Sequence, residues 1–447
     1  MSVTERTAYD DLPYKSMPVE WTAPERLALA SLLHGGPRPR LDAYRVLELG
    51  CADGSNLIPM AFFRPDGRFV GIDSAGSQIA LAGARRASLD LGNIEFIWAD
   101  FRAAENVVSG EFDFIIAHGV FSWIPDAARD AMLELCARHL RDDGLVYLNY
   151  NTYPGWNVRG MVRRFLLART RGGVSLHNRA LLAQEVAEQL AASIPSSESP
   201  FTRLLVKELR FVSEHHHSYV AHEYLAEDNH AYWRSEFLGL AGTHEFEYVA
   251  DADFSYPTGR ITASAPPTWV QQDLSGAEVD DTMDLLSYRQ LHSPILCRRP
   301  LIRRPHSIAE FAELTIASVL TSDPDERGQP GMFRHPSGYE VEAKEGDMRT
   351  ALRNLQRHWP RGLRIGDMFH DVANVMDDLK LLHRNGLIEI RCREPDESCD
   401  MPEKLNRMEA QHSDYITTAY HTREAVPVHW TDGFSDAPLR REKADVA

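Results

Sequence analysis

The chain has 447 residues, too many for one ordinary hydrophobic core, so two or three domains are expected. Its 43% apolar and 25% charged residues suit a globular soluble protein. No window is apolar and long enough to span a bilayer, and MSVTERTAYDDLPY lacks the basic flank and apolar run of a signal peptide, so a cytoplasmic location is expected. A formal charge of −17 argues against general nucleic-acid binding, and cysteines 51, 136, 297, 392 and 399 have no paired spacing that suggests disulfides or a zinc site.

Residues 1–40 read as an N-terminal lid segment. The strand YRVLEL follows at 44–49 and runs into the small-residue turn GCADGSN and an apolar helical stretch, Leu57 to Phe63. RFVGID ends a second strand on Asp73, with the helical SQIALAGARRASLDLG behind it. IEFIWAD ends a third on Asp100, FDFIIAHGV is the fourth, the helix DAARDAMLELCARHL comes next, and LVYLNYN is the fifth. Strands alternating with helices of ten or more residues imply a parallel sheet with right-handed crossovers, a doubly wound α/β domain over 41–195. Beyond Trp156 the strand signal gives way to the helices MVRRFLLART and RALLAQEVAEQLAASI. Residues 196–300 are aromatic-rich with mainly helical periodicity and read as a middle domain. In 301–395, helices around DMRTALRNLQRHW and VMDDLKLLHRNG followed by LIEIRCR suggest a winged-helix-like unit, and 396–447 is a tail without a strong period.

The turn Glu48-Leu-Gly50-Cys-Ala52-Asp-Gly54 has the GxGxG spacing that lets a ligand approach backbone where a helix begins. Alone it is weak, because dinucleotide-binding proteins and plain βα turns share it. Asp73, ending the second strand, can accept both hydroxyls of a ribose; at the end of the third, Asp100 can receive an adenine amino group and Phe101 can flank the purine. These strand ends share one rim of a parallel sheet, where open α/β folds bind ligands. NAD fits less well than S-adenosylmethionine (AdoMet): the third glycine of G-x-G-x-x-G is Leu57, and a dinucleotide requires nothing of Asp100.

The stretches YDDLPYKSMP, VLELGCADGSNLIPMA, VGID, AHGVFSWIPD and NYNTYPGW resemble bacterial class I AdoMet-dependent methyltransferases that carry a methyltransferase regulatory domain. HEYLAEDNHAYWRSEFLGLAG and DLLSYRQLHSPILCRR resemble that regulatory domain, at 196–300, and rickettsial lysine methyltransferases acting on outer-membrane proteins look like relatives. The resemblance implies a Rossmann-like fold and AdoMet as cofactor. By it, Gly50, Ala52 and Gly54 line the methionine and ribose, Asp73 holds the ribose hydroxyls, and Asp100 and Phe101 hold adenine. Glu48 acts through water or the loop backbone, and His118 lies beside the methionine portion with Gly119 and Val120 keeping the backbone close. Cys51, Asn56 and Ser74 in the same turns and Tyr14 in the lid complete the expected cofactor-binding set. The departure is Ala52, where the family usually has glycine or another small residue; its methyl narrows the loop.

Methyl transfer is an in-line displacement, so the protein must mainly align and desolvate a nucleophile. Tyr153, His118 and Trp156 are the candidate catalytic residues, with Tyr14 in the lid, since aromatic faces can stabilise a cationic ammonium. Trp123 and Trp156 read equally well as packing residues, and His118 reads better as a cofactor contact than as a proton carrier. The cluster His215-His216-His217 with His222 and Glu223 has indifferent metal-ligand spacing, so no metal is expected and a solvated helical face is preferred. The mixed charge of VMDDLKLLHRNG favours protein contact or a homodimer over DNA for the C-terminal unit. The expected reaction is methyl transfer from AdoMet to a nucleophilic nitrogen or oxygen of a protein lysine or a small-molecule natural product, with no membrane or nucleic-acid partner. The alternative is a non-catalytic AdoMet-binding regulatory or docking module.

Overall fold

The computed structural model of the chain describes residues 7–14, 16–172, 175–195, 199–252, 276–322, 331–336, 338–359 and 361–392. The expected tail at 396–447 lies outside them. Of the described residues, those within 1–17, 42–249 and 258–301 form one compact unit, and those within 18–41, 250–257 and 302–447 form another.

The first unit is built on a sheet of β1 (Arg45–Leu49), β2 (Arg68–Asp73), β3 (Ile94–Trp98), β4 (Phe112–Ala117) and β5 (Leu140–Leu148). These strands read as near-continuous apolar runs because a parallel sheet is covered on both faces, and every residue of β4 is buried. The β1–β2, β1–β4, β2–β3 and β4–β5 pairs are all parallel. Helices α3 (Leu57–Phe63), α4 (Gly76–Ser88) and α5 (Asp126–His139) make the crossovers. Near the N-terminus lie α1 (Ala8–Asp11) and α2 (Pro24–Leu33), the latter in the second unit.

Two more strands extend this sheet. After β6 (Tyr150–Asn151), α6 (Trp156–Arg169), α7 (Leu176–Ser193), α8 (Pro200–Glu214), α9 (His217–Tyr224) and α10 (Arg234–Thr243) come β7 (Phe246–Asp251), β8 (Leu291–His292) and β9 (Pro294–Arg298). The strand order is β3-β2-β1-β4-β5-β9-β7, with β9 antiparallel to β5 through Val146↔Leu296 and Tyr147↔Ile295. The sheet is therefore mixed. The mainly helical middle domain expected at 196–300 is corrected accordingly: its helices form, but its strands complete the first unit's sheet. A short buried run such as PILCR carries no period that separates strand from helix.

The expected lid at 1–40 is likewise divided. Residues 7–14 belong to the first unit, whereas α2 places Leu29 in the second unit's core with Phe311, Ile316, Leu352, Leu379 and Ile390. That unit has Thr315–Ala317 at the centre of a three-stranded antiparallel sheet, flanked by Leu363–Arg364 and Glu389–Arg391. Helices Ile308–Ala312, Asp347–His358 and Val372–Arg384 accompany it.

Candidate functional site

Strand order reverses direction between β1 and β4, so the crevice outside their carboxyl ends is the topological switch point where such sheets bind ligands. The loop after β1 enters it. Gly50 has φ +77°, and a Cβ there would sit 2.4 Å from Val120 Cγ2, so both the conformation and the space require glycine. Gly54 repeats this, with φ +76° and a Cβ position 2.7 Å from Phe96 Cζ. Ala52 also lies in the left-handed region, at φ +46°, which costs about 1–2 kcal/mol for a residue with a Cβ.

That strain is held by hydrogen bonds from β2. The amides of Gly50 and Cys51 donate to Ile72 O at 2.8 and 3.0 Å, and Ala52 N–H donates to Asp73 Oδ2 at 2.8 Å. Asp73 Oδ1 accepts from Ala75 N–H at 2.8 Å, so one carboxylate fixes the loops after both strands. Cys51 faces β2, its sulfur 2.8 Å from where a Gly71 Cβ would stand, which leaves its backbone to the loop. From α4, Arg85 pairs with Asp53 at 2.6 Å and donates to Ser55 Oγ at 3.1 Å. Sequence reasoning passed over this clamp; the acid inside GCADG was its one signal.

The rim is acidic and dry. Glu48 is buried, Oε1 accepts from Asn56 Nδ2 at 2.7 Å, and Oε2 is buried without a hydrogen-bond partner. Burial pushes its pKa up to about 8; the Asn56 bond works the other way, and Asp73 and Asp53 push it further up. Burial also raises Asp73, against the backbone bonds from Ala75 and Ala52. Such a pair of acids has most to gain from a cation.

At the end of β3, Asp100 faces Arg102, with Nε to Oδ1 at 2.9 Å and Nη2 to Oδ2 at 2.7 Å, and this pairing holds its carboxyl below the usual range. Phe101 is half-buried and packs against the main core. Ser74 accepts the Trp98 indole N–H on its carbonyl at 2.9 Å. Past β4, His118 Nδ1 lies 2.8 Å from the Tyr147 hydroxyl, and burial lowers its pKa to about 4, so it is neutral at physiological pH. Gly119, at φ +69°, donates its N–H to Asn149 Oδ1 at 2.6 Å.

Tyr153 is half-buried in the loop after β6, its ring 6.0 Å from that of Trp233, and its amide donates to Tyr232 O at 3.1 Å. Trp156 is different. It starts α6 only 2% exposed, edge-on to Trp123 at 5.6 Å and with Arg159 5.4 Å above its ring, which is a packing arrangement. Tyr14 lies 5.8 Å from His222 and 6.5 Å from Tyr219 on α9. The expected solvated face for the histidine cluster is corrected in part: Ser218 to Tyr224, including His222 and Glu223, are all buried, whereas His216 is exposed and His215 and His217 are half-buried. The loops after β1 and β2 thus bring together Glu48, Gly50, Cys51, Ala52, Gly54, Asn56, Asp73 and Ser74, and Val120 links the loop after β4 to Gly50.

Comparison with known proteins matches residues 46–144 to a family described as "Methyltransferase domain" and residues 216–298 to one described as "Predicted methyltransferase regulatory domain". The chain carries a methyltransferase domain followed by a methyltransferase regulatory domain. It is 32% identical over 303 residues to an uncharacterized protein of Rickettsia prowazekii (strain Madrid E), RP789, covering 67% of this chain and 54% of the relative. It therefore spans about half the length of that relative. Over 138 residues it is 33% identical to a trans-aconitate 2-methyltransferase of Azoarcus sp. (strain BH72), covering 31% of this chain and 49% of that protein. Its fold is that of PKMT2 from Rickettsia typhi, solved in complex with AdoHcy, at a TM-score of 0.71 and 21% identity over 86% of this chain and 78% of that one. The regulatory-domain match contains α9, β7 and β9, so that domain supplies two strands of the sheet that begins with β1 to β5.

The residues at this rim fit AdoMet. The glycine cradle admits a ligand to bare backbone, and the unpartnered Glu48 Oε2 suits an ammonium group. Glu48→Gln should separate two effects. A folded pKa near 8 against an ordinary 4.5 means that Glu48 contributes stability fully present below about pH 4.5 and lost as pH rises through 8. At pH 8.5 the variant should melt a few degrees higher than wild type, yet bind AdoMet roughly tenfold more weakly. Melting at pH 6 and 8.5 with calorimetry checks both; lower stability at pH 8.5 would mean that Glu48 is paired in the folded chain.

Proposed function

We propose that the chain transfers the methyl group of AdoMet to a nucleophilic nitrogen or oxygen of an acceptor, with an amine, as on a protein lysine or a small-molecule natural product, preferred. The observation that carries this reading is the acid-lined glycine cradle at the switch point, with Glu48 and Asp53 buried and Asp73 half-buried around backbone that only glycine leaves open. A cationic donor and an amine acceptor both suit that field.

AdoMet supplies an electrophilic methyl on a sulfonium. Around it, Asp73 would accept the ribose hydroxyls with the lone pairs left by Ala52 and Ala75, and Glu48 would receive the ammonium. Phe101 would flank the purine, and Asp100 would reach the adenine amino group while bound to Arg102. His118, with a pKa of about 4, makes a poor proton acceptor at neutral pH, so its role is contact beside the methionine portion. Tyr153 and Tyr14 are the phenols placed to meet the acceptor. The C-terminal unit is read as a winged-helix-like platform for protein contact or homodimer formation, and the location as cytoplasmic; no helix among the described residues is long and apolar enough to cross a membrane.

Calorimetry with AdoMet, followed by AdoHcy release against fractionated lysate, tests the reading. Binding with turnover on at least one fraction is expected. Binding with no turnover on any fraction would favour the non-catalytic module.

A further inference from the structure

Helix α4 begins beside Asp73, and no side chain of its own caps it: Ala75 stands at the N-cap. Its first amides go to two acids from elsewhere. Asp73 takes Ala75 N–H, and Asp10 Oδ1 takes Ser77 N–H at 2.9 Å, from 67 residues away in sequence. Asp10 is itself fixed by the amide and hydroxyl of Thr7, at 2.8 and 3.0 Å. Burial works to raise its pKa, but the Ser77 and Thr7 bonds outweigh that and bring it down to about 2, so the cap stays charged.

The neighbouring residues grip another element. Tyr9 stacks on His222 of α9, centroids 4.3 Å apart and planes within 4°. His222 in turn donates its Nε2–H to Leu12 O at 2.5 Å, and Tyr14 meets the same imidazole edge-on. The residues Thr7 to Tyr14 therefore form a strap between the start of α4 and a helix of the regulatory domain that is buried from Ser218 to Tyr224. Burial, and after it the charges of Glu223 and Asp73, keeps the proton on the Tyr9 phenol well past the ordinary range.

We propose that the strap Thr7 to Tyr14 couples the start of α4, and with it Asp73, to helix α9 of the regulatory domain. The proposal rests on the reading of Asp73 as the ribose acceptor. Its consequence is that filling the cofactor site tightens the strap, and the strap tightens α9. Asp10 and Tyr9 act at different points of that chain: Asp10 anchors the strap to α4, while Tyr9 stacks on His222 of α9.

The test uses the full chain with AdoHcy as probe. Hydrogen exchange should slow by roughly tenfold across 7–14 and 217–224 when AdoHcy binds. Tyr9→Leu removes the ring stacked on His222 and should lose the added protection at 217–224 while AdoHcy still binds. Asp10→Ala should retain AdoHcy binding but lose the added protection at 217–224. If AdoHcy binds wild type and leaves both segments unchanged, or if either variant keeps the added protection at 217–224, the proposal is overturned while the cofactor reading stands. If wild type fails to bind AdoHcy, the cofactor reading itself fails and the proposal with it.

Discussion

Asp73→Ala should raise the AdoMet dissociation constant by at least roughly tenfold and lower the melting temperature in the same protein. The first effect follows from losing the acceptor assigned to the ribose hydroxyls. The second has a separate cause, since Asp73 accepts the amides of Ala52 and Ala75 at 2.8 Å each, and alanine leaves both donors without their partner. An unmet buried donor costs about 1–3 kcal/mol, which for two donors in a unit of this size corresponds to a fall of roughly 5–15 °C. Asp73→Asn keeps one acceptor oxygen and should lose less of both. Calorimetry at saturating and ligand-free conditions separates the terms; an unchanged dissociation constant in Asp73→Ala would show that the ribose sits elsewhere on the rim.

Gly50→Ala should destabilise the chain by about 2–5 kcal/mol, from about 1–2 for a left-handed residue with a Cβ and about 1–3 for overpacking. The new Cβ would stand 2.4 Å from Val120 Cγ2, on a backbone at φ +77°. Adding Val120→Ala should recover part of the overpacking and none of the dihedral strain. Gly119→Ala is the matched control, because its φ is +69° but nothing lies within 4 Å of the new Cβ, so it should show the strain alone. Denaturant midpoints for the four proteins give the comparison. Equal losses at Gly50 and Gly119 would contradict the close approach of Val120 to the loop.

Much of this site was legible in the chain because its signals are local. Each of β1 to β4 ends within three residues of where its apolar run predicts, and the small-residue turn after β1 does adopt the positive φ angles that its glycines allow. Other features were hidden because the partners are distant in sequence. Nothing near Ser77 announces that Asp10 caps α4, and nothing in SYVAHEY shows that this segment is buried with His222 against aromatic rings. The membership of β9 and β7 in the main sheet was illegible for a different reason, since PILCR is short, apolar and without a period.

By itself, the sequence determined the alternation of strand, turn and helix, the glycine loop and the placing of acids at strand ends, since hydrophobic period and turn chemistry act over a few residues. Only the tertiary structure decided what those residues experience. Burial turns Glu48 into an acid of pKa about 8 and His118 into a neutral ring, Asp10 reaches Ser77 from 67 residues away, and Trp156 is buried edge-on to Trp123. Desolvation and long-range pairing depend on which elements meet, and that is settled when the sheet closes around them.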